Sequence, residues 1–144
     1  MKKSSYSLLS IFVFLSTLSA CTKEEINAKE LVQQKILGRW PVRYIIGSTY
    51  HNDILKTRDT LNRGLQVDTL VFDANGTVVK RYTAVLTTDT YSIDETASTI
   101  TFNEAPLTKK ISFVRANSIG FSTETTRDSG SVKIKTVTEE QLIR

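Results

Sequence analysis

The chain has 144 residues, a formal charge of +4, 40% hydrophobic and 24% charged residues, and a single Cys, a single His and a single Trp. That length suits one domain, and the balance excludes both a wholly disordered chain and a polytopic membrane protein. One Cys excludes a disulfide framework, and one Cys with one His excludes a structural zinc site built from four such ligands.

Residues 1–20 read as an address. Met1-Lys2-Lys3 is a charged start, and Leu8–Leu18 (LLSIFVFLSTL) is apolar apart from Ser and Thr. The run is too short for a membrane-spanning helix, which takes roughly 20 apolar residues. A basic start, a brief apolar core and small exit residues describe a cleaved secretory signal peptide. The exit Leu18-Ser19-Ala20-Cys21 resembles the bacterial lipobox. That resemblance implies cleavage before Cys21 and a diacylglyceryl thioether on its sulfur. Two or three acyl chains, at about 0.8 kcal/mol per buried methylene, make such an anchor permanent. It also accounts for a lone thiol in an exported protein.

Thr22-Lys23-Glu24-Glu25 follows, with no Asp after the Cys. The Lys-Glu-Glu run resembles the export signal of Bacteroidota lipoproteins, which implies an outer-membrane, lipid-anchored and surface-exposed protein; an inward-facing position at the same membrane is the alternative. Cleavage leaves 124 residues and removes Lys2 and Lys3 with no acid, so the formal charge falls from +4 to +2. The remaining basic residues are scattered rather than clustered on one face, which argues against a nucleic-acid partner.

Residues 21–37 form the expected lipidated tether and short helix. Lys23–Leu37 is rich in helix formers, with Ile26, Leu31, Ile36 and Leu37 as its apolar members, and Gly38 is placed to end it. From residue 38 to 144 the hydrophobic period becomes two. Val78, Tyr82 and Leu86 alternate with polar or smaller neighbours within an expected 77–86 strand. The same holds for Tyr91 and Ile93, Ile100 and Phe102, Ile111 and Phe113, Ile119 and Phe121, and Val132 and Ile134. Alternating side chains point to opposite faces of a strand, so this pattern predicts apolar-in, polar-out strands. Turn chemistry separates them: Asp73-Ala74-Asn75-Gly76 between the 67–72 and 77–86 strands, then Asp94–Ser98, Asn103–Pro106, Arg115–Asn117 and Arg127–Gly130. Short strands with tight turns at roughly ten-residue spacing predict an all-β antiparallel meander, closed as an up-and-down barrel or stacked as a sandwich.

Gly38-Arg39-Trp40 before the first strand resembles the Gly-x-Trp signature of lipocalins. Leu70-Val71-Phe72-Asp73-Ala74-Asn75-Gly76-Thr77 resembles the Phe-x-x-x-Gly-Thr hairpin of short lipocalin-like lipoproteins of Bacteroidota. Thr90-Tyr91-Ser92-Ile93 and Thr99-Ile100-Thr101-Phe102 are similar to their middle strands. The resemblance covers residues 36 to 137. It implies a calycin-type barrel of about eight strands, with Gly38 and Trp40 at the plugged end and a small apolar or amphipathic ligand bound at the open mouth. The Thr-Asp-Tyr element of long lipocalins is missing, since Thr88-Asp89-Thr90-Tyr91 carries an extra residue.

Catalytic patterns are thin. His51 could serve as a general base oriented by Asp53, but a polar loop residue is the simpler reading, and no nucleophile elbow accompanies it. Asp68, Asp89, Asp94 and Glu104 are candidate carboxylates of the kind any β-protein carries on outward faces. No calcium-loop spacing appears, so neither metal nor cofactor is expected. Ser48–Gln66 reads least like a strand, with Asp53, Lys56, Arg58, Asp59 and Arg63 among Ile54, Leu55, Leu61 and Leu65. In a lipocalin-like barrel the connection after the first strand lies over the mouth. That places Tyr50, His51, Arg58 and Arg63 on a rim facing a ligand or partner. The apolar series from Ile100 to Phe121 is read as a filled core rather than a large cavity. The expectation is a non-enzymatic, monomeric lipoprotein, held to the membrane by its N-terminal lipid. It binds a small hydrophobic ligand or, alternatively, serves as a structural or inhibitory partner of an envelope protein.

Overall fold

The computed structural model describes residues 27–64, 68–82, 85–104 and 107–144. The signal peptide, Cys21, and Leu65 and Gln66 of the expected rim lie outside the described residues.

Helix α1 spans Ala28–Ile36, inside the expected helical stretch. The Asn27 side chain accepts from the Lys29 backbone N–H at 3.0 Å and so satisfies one of the free donors of the first turn. Glu30 in the first turn and Lys35 in the last suit the helix dipole. Only Ile36 is fully buried, with Val32 packed partly against the core, while Leu31 stays exposed. The helix is therefore held by its C-terminal end.

Nine strands follow: β1 (Gly38–His51), β2 (Ile54–Asn62), β3 (Thr69–Phe72), β4 (Thr77–Tyr82), β5 (Val85–Ile93), β6 (Thr99–Phe102), β7 (Leu107–Val114), β8 (Ser118–Ser129) and β9 (Val132–Ile143). All pairings are antiparallel, in the order β2-β1-β3-β4-β5-β6-β7-β8-β9, and β9 returns to pair with β1. Strand β1 does double work on one edge. Gly38 to Pro41 pair with β3, and Tyr44 to His51 pair with β2, so β2 and β3 lie end to end. The nine strands thus close an eight-stranded antiparallel barrel; the period-two pattern and tight turns predicted an antiparallel meander, and of the barrel and sandwich left open it is the barrel that forms. From Thr123 to Ser129, β8 pairs with β9 alone, and β2 pairs only with β1. Four strands, β2-β1-β9-β8, therefore run on past the rim as a ribbon tipped by Asn52-Asp53 and Gly130-Ser131.

Four local expectations change. The 77–86 strand is two strands, with Tyr82 opposite Val85; the link Thr83-Ala84 carries none of the residues that announce a turn. The Arg127–Gly130 turn lies later, because β8 stays paired through Ser129. Ser48–Gln66 contains most of a hairpin rather than an irregular connection: β2 is exposed along its whole length, so no buried face imposed alternation on its sequence. Finally, a bulge between Ile111 and Phe113 turns Phe113 out of the lumen and brings in Val114 opposite Ile119.

The lumen is filled from the end that carries the β3–β4, β5–β6 and β7–β8 turns. Ile36 and Trp40 are fully buried there, and the Trp40 indole N–H donates to the Ile36 carbonyl at 2.6 Å. The Arg144 guanidinium lies 3.7 Å from the centre of the indole and donates to the Leu37 carbonyl. Above this layer Phe72 contacts Tyr91, Phe121 and Phe102, with ring centroids 5.1, 6.2 and 6.5 Å away.

Candidate functional site at the barrel mouth

Charged side chains lie directly above the aromatic layer. Lys80 and Asp89 pair at 2.5 Å, with side chains 17% and 1% exposed, and Lys109 pairs with Glu140 at 2.7 Å. Both ammonium groups sit over the ring of Phe102, at 4.4 and 5.9 Å from its centre. Register explains why they point inward. Lys80 opposes Leu70, Lys109 opposes Ile100, and Glu140 opposes Phe121, all buried apolar partners on the lumen side.

Asp89 also accepts from the backbone N–H groups of Thr90 and Glu104. Burial works against its charge, but the Lys80 hydrogen bond and these two N–H groups more than offset it and hold the carboxyl below its ordinary range. Arg63 and Asp68 pair at 2.5 Å between β2 and β3. Tyr82 stands near this layer; burial first, then the Glu140 and Asp68 carboxylates, push its phenol up. Around the charges the register places Leu61, Tyr82, Val85 and Leu107 on the lumen side, each roughly half exposed. The mouth therefore combines an ionic floor with an apolar rim.

The sequence-derived residues disperse over this geometry. Of the four rim candidates, Arg63 stands at the mouth, ion-paired to Asp68. Tyr50 and Arg58 share the ribbon face of Ser48, which is turned away from the lumen, and Lys135 lies 5.0 Å over the Tyr50 ring. His51 is at the ribbon tip, opposite Ile54 and Ile134. Asp53 does not orient it: Asp53 accepts from Lys135 at 3.0 Å, and that hydrogen bond lowers the Asp53 pKa and raises that of Lys135. Gly38 and Trp40 lie at the base, Gly38 with a positive φ of 97° beneath Arg144. Asp94 sits in the β5–β6 turn, where Thr96, Thr99 and Ser98 donors hold its carboxyl far below the usual range. Asp89 faces inward, contrary to the outward carboxylate expected. Among the described residues no three His, Cys, Asp or Glu gather to hold a metal ion.

Lys80, Lys109 and Glu140 were not singled out in the sequence, although a signal was present. Each stands two residues from an apolar position of its own strand that is buried (Val78, Leu142) or packed partly buried against the core (Ile111), so each occupies the inward face.

Among the described residues, fold and mouth together define an all-β architecture built on a closed eight-stranded antiparallel barrel with one short helix. Comparison with family models, with curated proteins and with solved structures finds no match for the chain in any of the three.

Proposed function

We propose that the chain is a non-enzymatic, lipid-anchored protein of the bacterial outer membrane, tethered through Cys21, whose lipocalin-like barrel binds a small amphipathic molecule at its mouth. The observation that carries this reading is the layering of the lumen. Packed rings fill the base, so a long apolar chain has no room to descend. The charged floor of Lys80, Asp89, Lys109 and Glu140 suits a polar head, and Leu61, Tyr82, Val85 and Leu107 suit an apolar body. Binding by burial and a few polar contacts needs no nucleophile or acid–base pair. The test is native mass spectrometry of the mature protein purified in mild detergent. A stoichiometric adduct that is lost in Lys109→Ala and Leu107→Asp supports mouth binding. A bare lipidated polypeptide, together with no uptake of amphipathic probes, overturns it.

A second reading is an envelope-protein partner that uses the ribbon. Strand β2 favours it: nine residues exposed on both faces, with one edge unpaired among the described residues. A photo-crosslinker at Thr57 giving one discrete adduct in cell envelopes, with none from Thr101 on the barrel wall, would favour this alternative.

A further inference from the structure

The outer wall of the barrel is electrostatically one-sided. Outward positions on the first part of β1 and on β3 to β6 carry Arg39 and Arg81 and no carboxylate, the acids lying in the lumen, on the ribbon or in turns. Arg39 stands in line with Val71 and Val79, and Arg81 with Thr69 and Leu86. These six residues line one open cleft of about 240 Å³. Leu86 is 58% and Val71 38% exposed, and among the described residues neither arginine forms an ion pair. Two unpaired guanidinium groups over an aliphatic floor fit an anionic surface with apolar depth behind it.

We propose that this wall rests on the anionic bilayer that holds the protein's own lipid. The inference depends on lipidation of Cys21. Six peptide units separate Cys21 from Asn27, a reach of at most about 20 Å. The chain enters α1 beside the β5–β6 turn, where Lys29 pairs with Glu95 at 2.6 Å, at the lower edge of the same wall. A tether that short keeps the wall within reach of the headgroups. The acyl chains retain the protein, and the arginines set its orientation: barrel on its side, with mouth and ribbon free.

The test uses full-length lipidated protein in phosphatidylglycerol-containing vesicles, with a bimane label at Thr88→Cys on the wall or Thr126→Cys on the ribbon. Nitroxide lipids are expected to quench the Thr88 label, which iodide cannot reach, while the Thr126 label behaves in the opposite way. Replacing Arg39 and Arg81 by Gln is expected to shift the balance away from the bilayer by about 25-fold, roughly five-fold per arginine. Arg39→Lys with Arg81→Lys keeps the contact, and about 0.5 M salt releases it while the protein still floats with the vesicles. A protein that floats while its Thr88 label stays open to iodide overturns the wall contact alone. So does undiminished contact on pure phosphatidylcholine. A Thr88 label open on vesicles but shielded in intact cells overturns it in favour of a protein partner. An intact mass without lipid on Cys21, with no flotation, overturns the anchor and the wall together.

Discussion

Lys80 and Asp89 illustrate how a buried pair behaves in a lumen. Truncating Lys80 leaves the Asp89 carboxylate, 1% exposed, without its counter-charge. The expected loss for Lys80→Ala is about 3 kcal/mol or more in urea unfolding. Lys80→Met combined with Asp89→Leu is expected to cost much less, because no uncompensated charge remains. The lowered Asp89 pKa also fixes a pH dependence. Its stabilisation is present above the ordinary unfolded value of about 3.9 and is lost as pH falls through the lower folded one. Melting temperature should therefore drop below about pH 4, and Asp89→Asn should flatten that drop. Gly120 makes a different demand. A Cβ there would lie 2.4 Å from Phe113 Cε1. Gly120→Ala should cost about 1–3 kcal/mol, because the ring turned out by the bulge has to move.

Helix α1 and strand β2 are attached in contrasting ways, and each makes a prediction. Ile36 is the one fully buried side chain of α1 and also supplies the carbonyl that accepts from Trp40. Ile36→Ala should destabilise the protein by about 2–4 kcal/mol, measured by thermal unfolding, and raise acrylamide access to Trp40. Strand β2 has no buried side chain. Its amide protons should exchange well before those of β3 and β4 in native-state hydrogen exchange, since local opening exposes little apolar surface. Lys56, Arg58 and Asp59 on the open edge also discourage edge-to-edge association. Equal protection of β2 and β3 would mean that the ribbon is covered in solution.

The closed barrel links the first strand to the last. Strands β1 and β9 pair from Val42↔Leu142 to His51↔Ile134, so closure joins residues about ninety positions apart in sequence. Contacts of that separation delay folding, because loop-closure entropy is spent before they form. Trp40, the single Trp, lies against Arg144 at this seam. Its fluorescence should report global unfolding and coincide with far-ultraviolet dichroism in one transition. The same closure separates two sets of charges: Lys80, Asp89, Lys109 and Glu140 inside the upper lumen, and Arg39 and Arg81 on one outer wall. The mouth thereby becomes a polar basin rather than an apolar tube.

Local pattern accounts for much of this molecule. Alternation at Tyr91 and Ile93 or Ile119 and Phe121 marked inward faces, and Asp73 to Gly76 marked a turn, because strand period and turn chemistry are short-range properties of the backbone. The helix over Ala28–Ile36 was legible for the same reason. The bulge at Ile111 and Phe113 was not, since its necessity arises from the partner strand and the curvature that closure imposes. Strand β2 was hidden because exposure on both faces leaves no hydrophobic rhythm to read. Lys80 and Asp89 stood in plain view on the inward face, yet nine residues separate the partners, and a charge inside a strand ordinarily faces water. The β4–β5 ladder sets Asp89 opposite Val78 and so diagonal to Lys80, but only the closed sheet turns that face into a lumen that buries the pair, because burial is decided in space and a side chain's face by its neighbours along the chain.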